Sequence, residues 1–446
     1  MLLTSVVGLP ATEVAAEPTA LIASVVSNDA PPAVVGPAID RETEVSWPAK
    51  FGANSFGAQT LSTLARIPAG NISEYFESRP GAVDQLLAEQ LPAHEVALWW
   101  GELDADRQFA LKTASPQLVG NLEGVPFSIR DTSNRTMLSQ TVAELTTLTD
   151  SDAGRAVRQT ARQQLNMLSA ISEALDHERS EPQRTLVTLD VSGQGRAAIV
   201  LGDLNKADYV SFLVPGMFFT IENQMSYWVD AASELYSQQQ VWLEYFEAQS
   251  VFIHNQSVAT VAWIGYETPN LTNVGAIDNA DQGRDSLAGA ILGLQAQRGD
   301  DQPYISIVAH SYGTTAAMMA LSEYSFEVDA LAMVGSPGSP AKSVAELNVR
   351  DGNVFVGEAA WDPVPNSSYF GPDPGSTSFG AQSLGVSGGF DVIMKEPLAG
   401  SVGHNEYFMT GSESMRNFAL LCVGRSDLVI AEGAPPVQRA LAAASD

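Results

Sequence analysis

The sequence predicts an α/β protein, a mostly parallel sheet flanked by helices, with a mainly helical region at its N-terminal side. Three observations carry that prediction. Residues 305–310, Ile-Ser-Ile-Val-Ala-His, form an apolar run that ends at Ser311 and continues into small residues. From about residue 185 onward, short apolar runs alternate with amphipathic stretches, the pattern of a parallel sheet covered on both faces. Before residue 184 the apolar residues recur at helical spacing instead.

Residues 1–44 are rich in Ala, Val and Pro, and Pro31, Pro32 and Pro37 interrupt any helix; a disordered leader is expected there. The opening Met-Leu-Leu-Thr-Ser-Val-Val-Gly-Leu is apolar but short and has no basic start, so a cleaved signal peptide is the lesser expectation. Residues 45–184 form the helical region, a candidate cap. Helices are expected over 71–90, over 92–112 with Trp99 and Trp100 in a core, and over 152–177. In the last, Ala161, Leu165, Leu168, Ile171 and Leu175 make a core-facing stripe. Residues 120–135 break that regularity and read as a loop laid against the following domain.

Residues 185–446 form the sheet domain. Residues 186–191 and 196–201 read as strands paired around the turn 192–195. Strands follow at 209–214, 258–266, 305–310, 330–336 and 353–361, with helices at 225–249, 284–297 and 314–324 between them.

The Ser311 segment reads as a nucleophile elbow, a sharp strand-to-helix turn that lifts a serine hydroxyl clear of a parallel sheet. Strain at the serine calls for small residues two positions away on each side, and Ala309 and Gly313 supply them. A serine nucleophile needs a general base, and an acid that fixes the tautomer of that base. In folds built around this elbow the acid comes next in the chain and the histidine last. Of the five histidines, His94, His177, His254, His310 and His404, His404 alone lies beyond Ser311.

Asp362, in Trp-Asp-Pro at a strand end, is the expected acid, because Pro363 biases it toward extended geometry. Glu358 is the rival, four residues earlier and still within the expected strand; Asp373 and Asp391 fall in or near loops. The oxyanion site is expected from two amides. One belongs to Tyr312, after the serine, and one to Met217, after the turn at Pro215-Gly216. Gly216 and Phe218 are then candidate substrate-binding residues. The Tyr312 side chain is a candidate wall of an acyl pocket, and Phe219 and Trp361 read equally well as core.

A chain of 446 residues, 45% hydrophobic and with seven Trp, can bury a large core. The charge balance of 23 basic against 52 acidic residues gives −29. That argues against nucleic acid and anionic membrane surfaces as partners. The single Cys422 permits no intramolecular disulfide, which favours the cytoplasm slightly and leaves export open. No run of 18 uncharged apolar residues occurs, so no integral membrane segment is expected. Asp278, Asp281 and Asp285 precede a helix, where acidic residues are stabilising by themselves. With no His partner or EF-hand spacing beside them, neither a metal nor any other cofactor is expected. Arg130 and Asp131 read as an ion pair that anchors the irregular segment.

Several strings together resemble a known family: Gly202-Asp-Leu, Val214-Pro-Gly216, Ala262-Trp-Ile-Gly-Tyr266, Ala309-His-Ser-Tyr-Gly313, Val334-Gly-Ser-Pro-Gly338 and Trp361-Asp-Pro363. They are similar to the catalytic half of an actinobacterial α/β-hydrolase family long catalogued as a domain of unknown function. The string Gly120-Asn-Leu-Glu-Gly-Val-Pro126, with Arg130, Asp131 and Asn134, is similar to that family's helical N-terminal half. The resemblance implies the α/β-hydrolase fold and a Ser-Asp-His hydrolase, but no substrate. The expectation is a serine hydrolase of small-molecule carboxylic esters, esterase- or lipase-like, that works through an acyl-enzyme on Ser311. Amide, peptide or thioester cleavage by the same residues stays open, as do acyl transfer to another acceptor and a hydrolase-like binding protein without catalysis.

Overall fold

The computed structural model describes residues 55–178, 181–249, 255–269 and 276–433; the expected leader, residues 1–44, lies outside them. Six short helices come first: α1 (Phe56–Arg66), α2 (Ile72–Glu77), α3 (Ala82–Ala88), α4 (Ala93–Glu102), α5 (Ala105–Ala114) and α6 (Pro116–Asn121). Two long ones follow, α7 (Phe127–Asp150) and α8 (Arg155–Leu175).

Two of the expected helices are split. The span 71–90 breaks at Pro80-Gly81, where Gly81 takes a φ of 86°. The span 92–112 breaks after Leu103, where the Asp104 carboxylate accepts the Arg107 N–H at 2.8 Å and starts α5 as a new helix.

The segment 120–135 is mostly helix rather than loop. Pro126 stands just ahead of α7, where no intrahelical donor is needed. Arg130 pairs with Glu123, and Asp131 with Arg135 at 2.8 Å, rather than with each other. The Asp131 carboxylate also accepts the Leu186 N–H at 2.7 Å, and Asn134 donates to the carbonyls of Gly120 and Leu186. These bonds tie α7 to the first strand.

The sheet has eight strands: β1 (Arg184–Asp190), β2 (Arg196–Leu201), β3 (Tyr209–Val214), β4 (Val258–Ile264), β5 (Tyr304–His310), β6 (Ala330–Val334), β7 (Val354–Gly357) and β8 (Gln382–Ser383). Their order is β1-β2-β4-β3-β5-β6-β7-β8. β2 runs antiparallel to both β1 and β4, and every later pair is parallel.

Helices cover both faces of this sheet, which is why β4 and β6 are buried along their whole length. On one face α8, α9 (Ile221–Gln249) and α12 (Glu413–Cys422) share a core around Ile171, Trp228, Trp242 and Phe418. On the other, α10 (Asp278–Arg298) and α11 (Tyr312–Glu323) pack through Leu287, Ile291 and Met318. Helices α1 to α6 bury a separate cluster around Leu64, Ile72, Leu86 and Trp100, and α4 packs on α10. No described helix is long and apolar enough to cross a membrane.

The parallel register decides where chemistry can collect. Val214 lies opposite Ala309, His310 opposite Val334, and Val334 opposite Gly357. The loops that leave β3, β5, β6 and β7 therefore emerge at one edge, outside the carboxyl ends of the strands, where open α/β sheets bind their ligands.

Candidate active site

Ser311 occupies the single residue between β5 and α11, at φ 53° and ψ −130°. A non-glycine residue in such a conformation costs about 1–3 kcal/mol. The strain is held by the parallel pairing on either side: the Ser311 N–H donates to the carbonyl of Val334 at 2.9 Å, and α11 begins at the next residue. Gly216, after β3, comes up against the serine. A Cβ there would stand 2.5 Å from Ser311 Cβ and 3.1 Å from its Oγ, so no other residue fits without displacing the hydroxyl.

The structure brings Ser311, His404 and Asp362 together. His404 Nε2 lies 2.7 Å from Ser311 Oγ, and its Nδ1 lies 3.0 Å from each Asp362 oxygen. All three are nearly enclosed, at 2%, 5% and 6% exposure respectively. A carboxylate only accepts, so Nδ1 carries the proton and Nε2 is left as the acceptor for the serine hydroxyl. Burial by itself raises the Asp362 carboxyl. Hydrogen bonds from His404, from the Tyr407 hydroxyl and from the Val364 amide outweigh it and hold Asp362 below the ordinary carboxylate range.

Glu358 lies just past β7 rather than within a strand, and has no hydrogen bond to His404. Burial, then the neighbouring Asp373 and Asp362, push its carboxyl up to about 7. Asp391 is committed elsewhere, to Arg416 at 2.8 Å. Of the four acidic candidates, Asp362 is the one that meets the imidazole.

Three residues of this neighbourhood escaped sequence reasoning. Tyr407 donates its hydroxyl to Asp362 Oδ2 at 2.6 Å and accepts the Ala359 N–H at 2.9 Å. His310 is buried beside His404, with ring centroids 4.7 Å apart. Its Nε2 donates to the main-chain carbonyl of His404 at 2.7 Å, and burial, with His404 next to it, pushes its pKa down to about 3. His310 is therefore a neutral donor at any working pH. Tyr266, fully buried and stacked on Trp263 and Tyr312, donates its hydroxyl to the carbonyl of Pro215 at 2.7 Å and so fixes the turn before Gly216. The strings Ala262–Tyr266 and Ala309–Gly313 contained all but Tyr407, without a signal for what each would touch.

The amides of Met217 and Tyr312 have no hydrogen-bond partner among the described residues. Phe218, at φ 64°, donates its N–H to Pro269. It lines a cavity of about 470 Å³ together with Gln194, Thr220, Asn223 and Gln224. The Tyr312 side chain has a structural tie. Its hydroxyl donates to the carbonyl of Ala276 at 2.7 Å and accepts the Ala280 N–H at 3.0 Å, pinning the start of α10.

Phe219 is packed, edge-on to Trp228. Trp361 is not core at all. It is 87% exposed and holds a φ of 65°, a left-handed conformation that costs a bulky residue about 1–2 kcal/mol.

Asp281 and Asp285 pair with Arg284, each at 2.7 Å. Among the described residues no group of three or more His, Cys, Asp or Glu side chains is placed to hold a metal ion. Cys422 is buried and its thiol is pushed up to about 11 by that burial.

Comparison with known proteins agrees with this architecture. A family model described as alpha/beta hydrolase matches residues 190–372, a stretch that includes Ser311 and Asp362 but stops short of His404. Two uncharacterized proteins of Mycobacterium tuberculosis, from strains CDC 1551 and H37Rv, are each 26% identical over 384 residues, or 76% of this chain. The chain spans 57% of the length of these relatives.

Among solved structures, a Pyrobaculum calidifontis esterase is 13% identical with a TM-score of 0.35, covering 60% of this chain and 92% of its own. An S-formylglutathione hydrolase from Agrobacterium tumefaciens is 13% identical with a TM-score of 0.31, covering 56% and 97%. A dienelactone hydrolase from Anabaena variabilis is 16% identical with a TM-score of 0.26, covering 42% and 79%.

Proposed function

For a chain whose residues 190–372 match an alpha/beta hydrolase family model, we propose a serine hydrolase of that fold that cleaves small-molecule carboxylic esters through an acyl-enzyme on Ser311. The observation that carries this reading is the unbroken line from Ser311 Oγ through the His404 imidazole to the Asp362 carboxylate, at 2.7 and 3.0 Å. A buried serine hydroxyl gains reactivity when a base accepts its proton as it attacks.

In the first half-reaction Ser311 Oγ bonds to the acyl carbon while His404 Nε2 takes the hydroxyl proton. Asp362 keeps its own charge and steadies the imidazolium that forms. The negative charge that develops on the carbonyl oxygen is received by the amides of Met217 and Tyr312, which have no other partner among the described residues. His404 then gives its proton to the departing alkoxide as the bond from carbon to the alcohol oxygen breaks. In the second half-reaction water adds to the acyl carbon and His404 takes a water proton. The same proton returns to Ser311 as the carboxylic acid leaves.

His310 and Tyr407 support this sequence from outside it. One holds the main chain of the base and the other holds the acid, so the rotamers that align the relay are set by neighbours rather than by substrate. The preference for esters over amides is an analogy with other enzymes of this fold.

The test is hydrolysis of p-nitrophenyl esters from acetate to palmitate, with labelling by a fluorophosphonate. Ser311→Ala should lose about 10⁴-fold or more in kcat, and all labelling, with its melting temperature kept. A wild type that neither turns over esters nor takes the label would leave a binding protein with a hydrolase fold.

A further inference from the structure

We propose that Trp361 is the apolar wall of the substrate site, packing against the acyl or aryl part of a neutral ester; this rests on the hydrolase reading above.

The first support is that the fold gains nothing from a tryptophan at this position. The side chain is 87% exposed, so it fills no core. Its backbone lies in the left-handed region, within the turn closed by the bond from the Asp362 N–H to the carbonyl of Ala359 at 3.2 Å. Glycine or asparagine takes that conformation with little or no strain, whereas a bulky side chain does not. A large aromatic ring is thus kept, under strain, in contact with water. Such outliers cluster at ligand clamps and active sites, where the ligand supplies the contact that is missing in the free protein.

The second support is where the ring stands. Ala360 forms a bridge with Val402, and the Gly403 N–H donates to the carbonyl of Ala360 at 2.8 Å. Trp361 therefore emerges beside the segment that ends in His404, and it directly precedes Asp362. Val402 is itself a large exposed apolar residue on that same segment, so two exposed apolar side chains sit on the segments that lead into Asp362 and His404.

The chemistry of the occupant follows from what surrounds them. Residues 355–375 and 399–412 contain no Lys or Arg, while Glu358, Asp362, Asp373 and Glu406 all fall within them. A phosphate or other anionic group finds no counter-charge in these two segments. A neutral aliphatic or aromatic group finds the face of an indole ring.

The experiment compares p-nitrophenyl acetate with p-nitrophenyl octanoate, using wild type, Trp361→Gly, Trp361→Asn and Trp361→Phe. Fluorophosphonate labelling and thermal melting are followed for each. Trp361→Gly and Trp361→Asn should lose about tenfold in kcat/KM on octanoate, mostly through KM. That corresponds to roughly 55 Å² of apolar contact at about 25 cal/mol/Å². On acetate they should stay within about twofold of wild type, because a two-carbon acyl group does not reach the ring. Trp361→Phe should keep most of the octanoate preference, and the melting temperature of Trp361→Gly should not fall below that of wild type.

An octanoate-to-acetate ratio unchanged in Trp361→Gly would overturn the proposal. So would an equal loss on both esters accompanied by a lower melting temperature, which would make the ring a structural or partner contact. A wild type that hydrolyses neither ester and takes no label at Ser311 would overturn the hydrolase reading, and this proposal with it.

Discussion

Two clusters of charge in the sheet domain are built on opposite principles. On α10 the Arg284 guanidinium gathers Asp281, Asp285 and Glu323, each at 2.7 Å. Burial lowers its affinity for the proton, but these partners more than reverse that and hold the cation firmly. At the strand tips Asp362 is ionised without any such partner. Among the described residues its contacts are a histidine ring, a phenol and a main-chain amide. A carboxylate already neutralised by arginine can only fasten elements together. One left waiting beneath an imidazole makes that imidazole a better place for a proton. The difference separates a fastening from a site more reliably than counting acidic residues, which would favour α10.

The sharpest way to break this contrast is to neutralise one side of each cluster. Asp362→Asn should lower kcat by about 10⁴-fold, since the amide favours the wrong tautomer of His404. Arg284→Met should leave kcat within about twofold and lower the melting temperature, because three carboxylates then face one another without the cation between them. Steady-state kinetics and calorimetry on the two variants would show it. Comparable activity losses would erase the distinction.

A smaller effect is expected from His310, which acts on the site through the main chain of His404. His310→Phe keeps a ring but removes the donor, and should lower kcat by roughly 10–100-fold with KM near wild type. His310→Gln can still present an N–H toward the carbonyl and should recover much of that loss. If the two variants lose activity equally, volume rather than the hydrogen bond is what matters there.

The mildest effect concerns Glu358, the carboxyl that burial raises from 4.5 to about 7. Between those values the folded chain keeps a proton that the unfolded chain has lost. Wild-type stability therefore falls as pH rises through this window and levels off above it. Glu358→Gln has no such group, so its melting temperature should gain on wild type from pH 5 to pH 8, with kcat at neutral pH little changed. A gap that stays flat across that range would remove burial beside Asp373 as the cause.

What the sequence revealed and what it hid divides along the same physical line. The elbow was legible because its strand, its small flanking residues and its helix are contiguous, and His404 was legible because it is the last histidine in the chain. His310 and Tyr407 were not, because their partners lie 94 and 45 residues away and no local pattern marks such contacts. The helix breaks at Gly81 and Asp104 left local signals, a Pro-Gly pair and a capping acid, but the apolar spacing runs on through both and hid them. The segment 120–135 misled in the other direction, reading as a loop where α7 begins just after Pro126. The exposure of Trp361 lay beyond any pattern, since apolar residues at a strand end ordinarily point inward.

The three aligned side chains are also carried by widely separated parts of the chain. Ser311 and Asp362 are carried by the successive strands β5, β6 and β7 and their exits, whereas His404 follows β8 and is held by the segment that leads into α12. That helix packs against α9 and β5, so the place of His404 depends on the last part of the sheet domain docking on the first. Under the proposed mechanism, activity would be tied to completed folding, and a half-folded copy would hold Ser311 without its base.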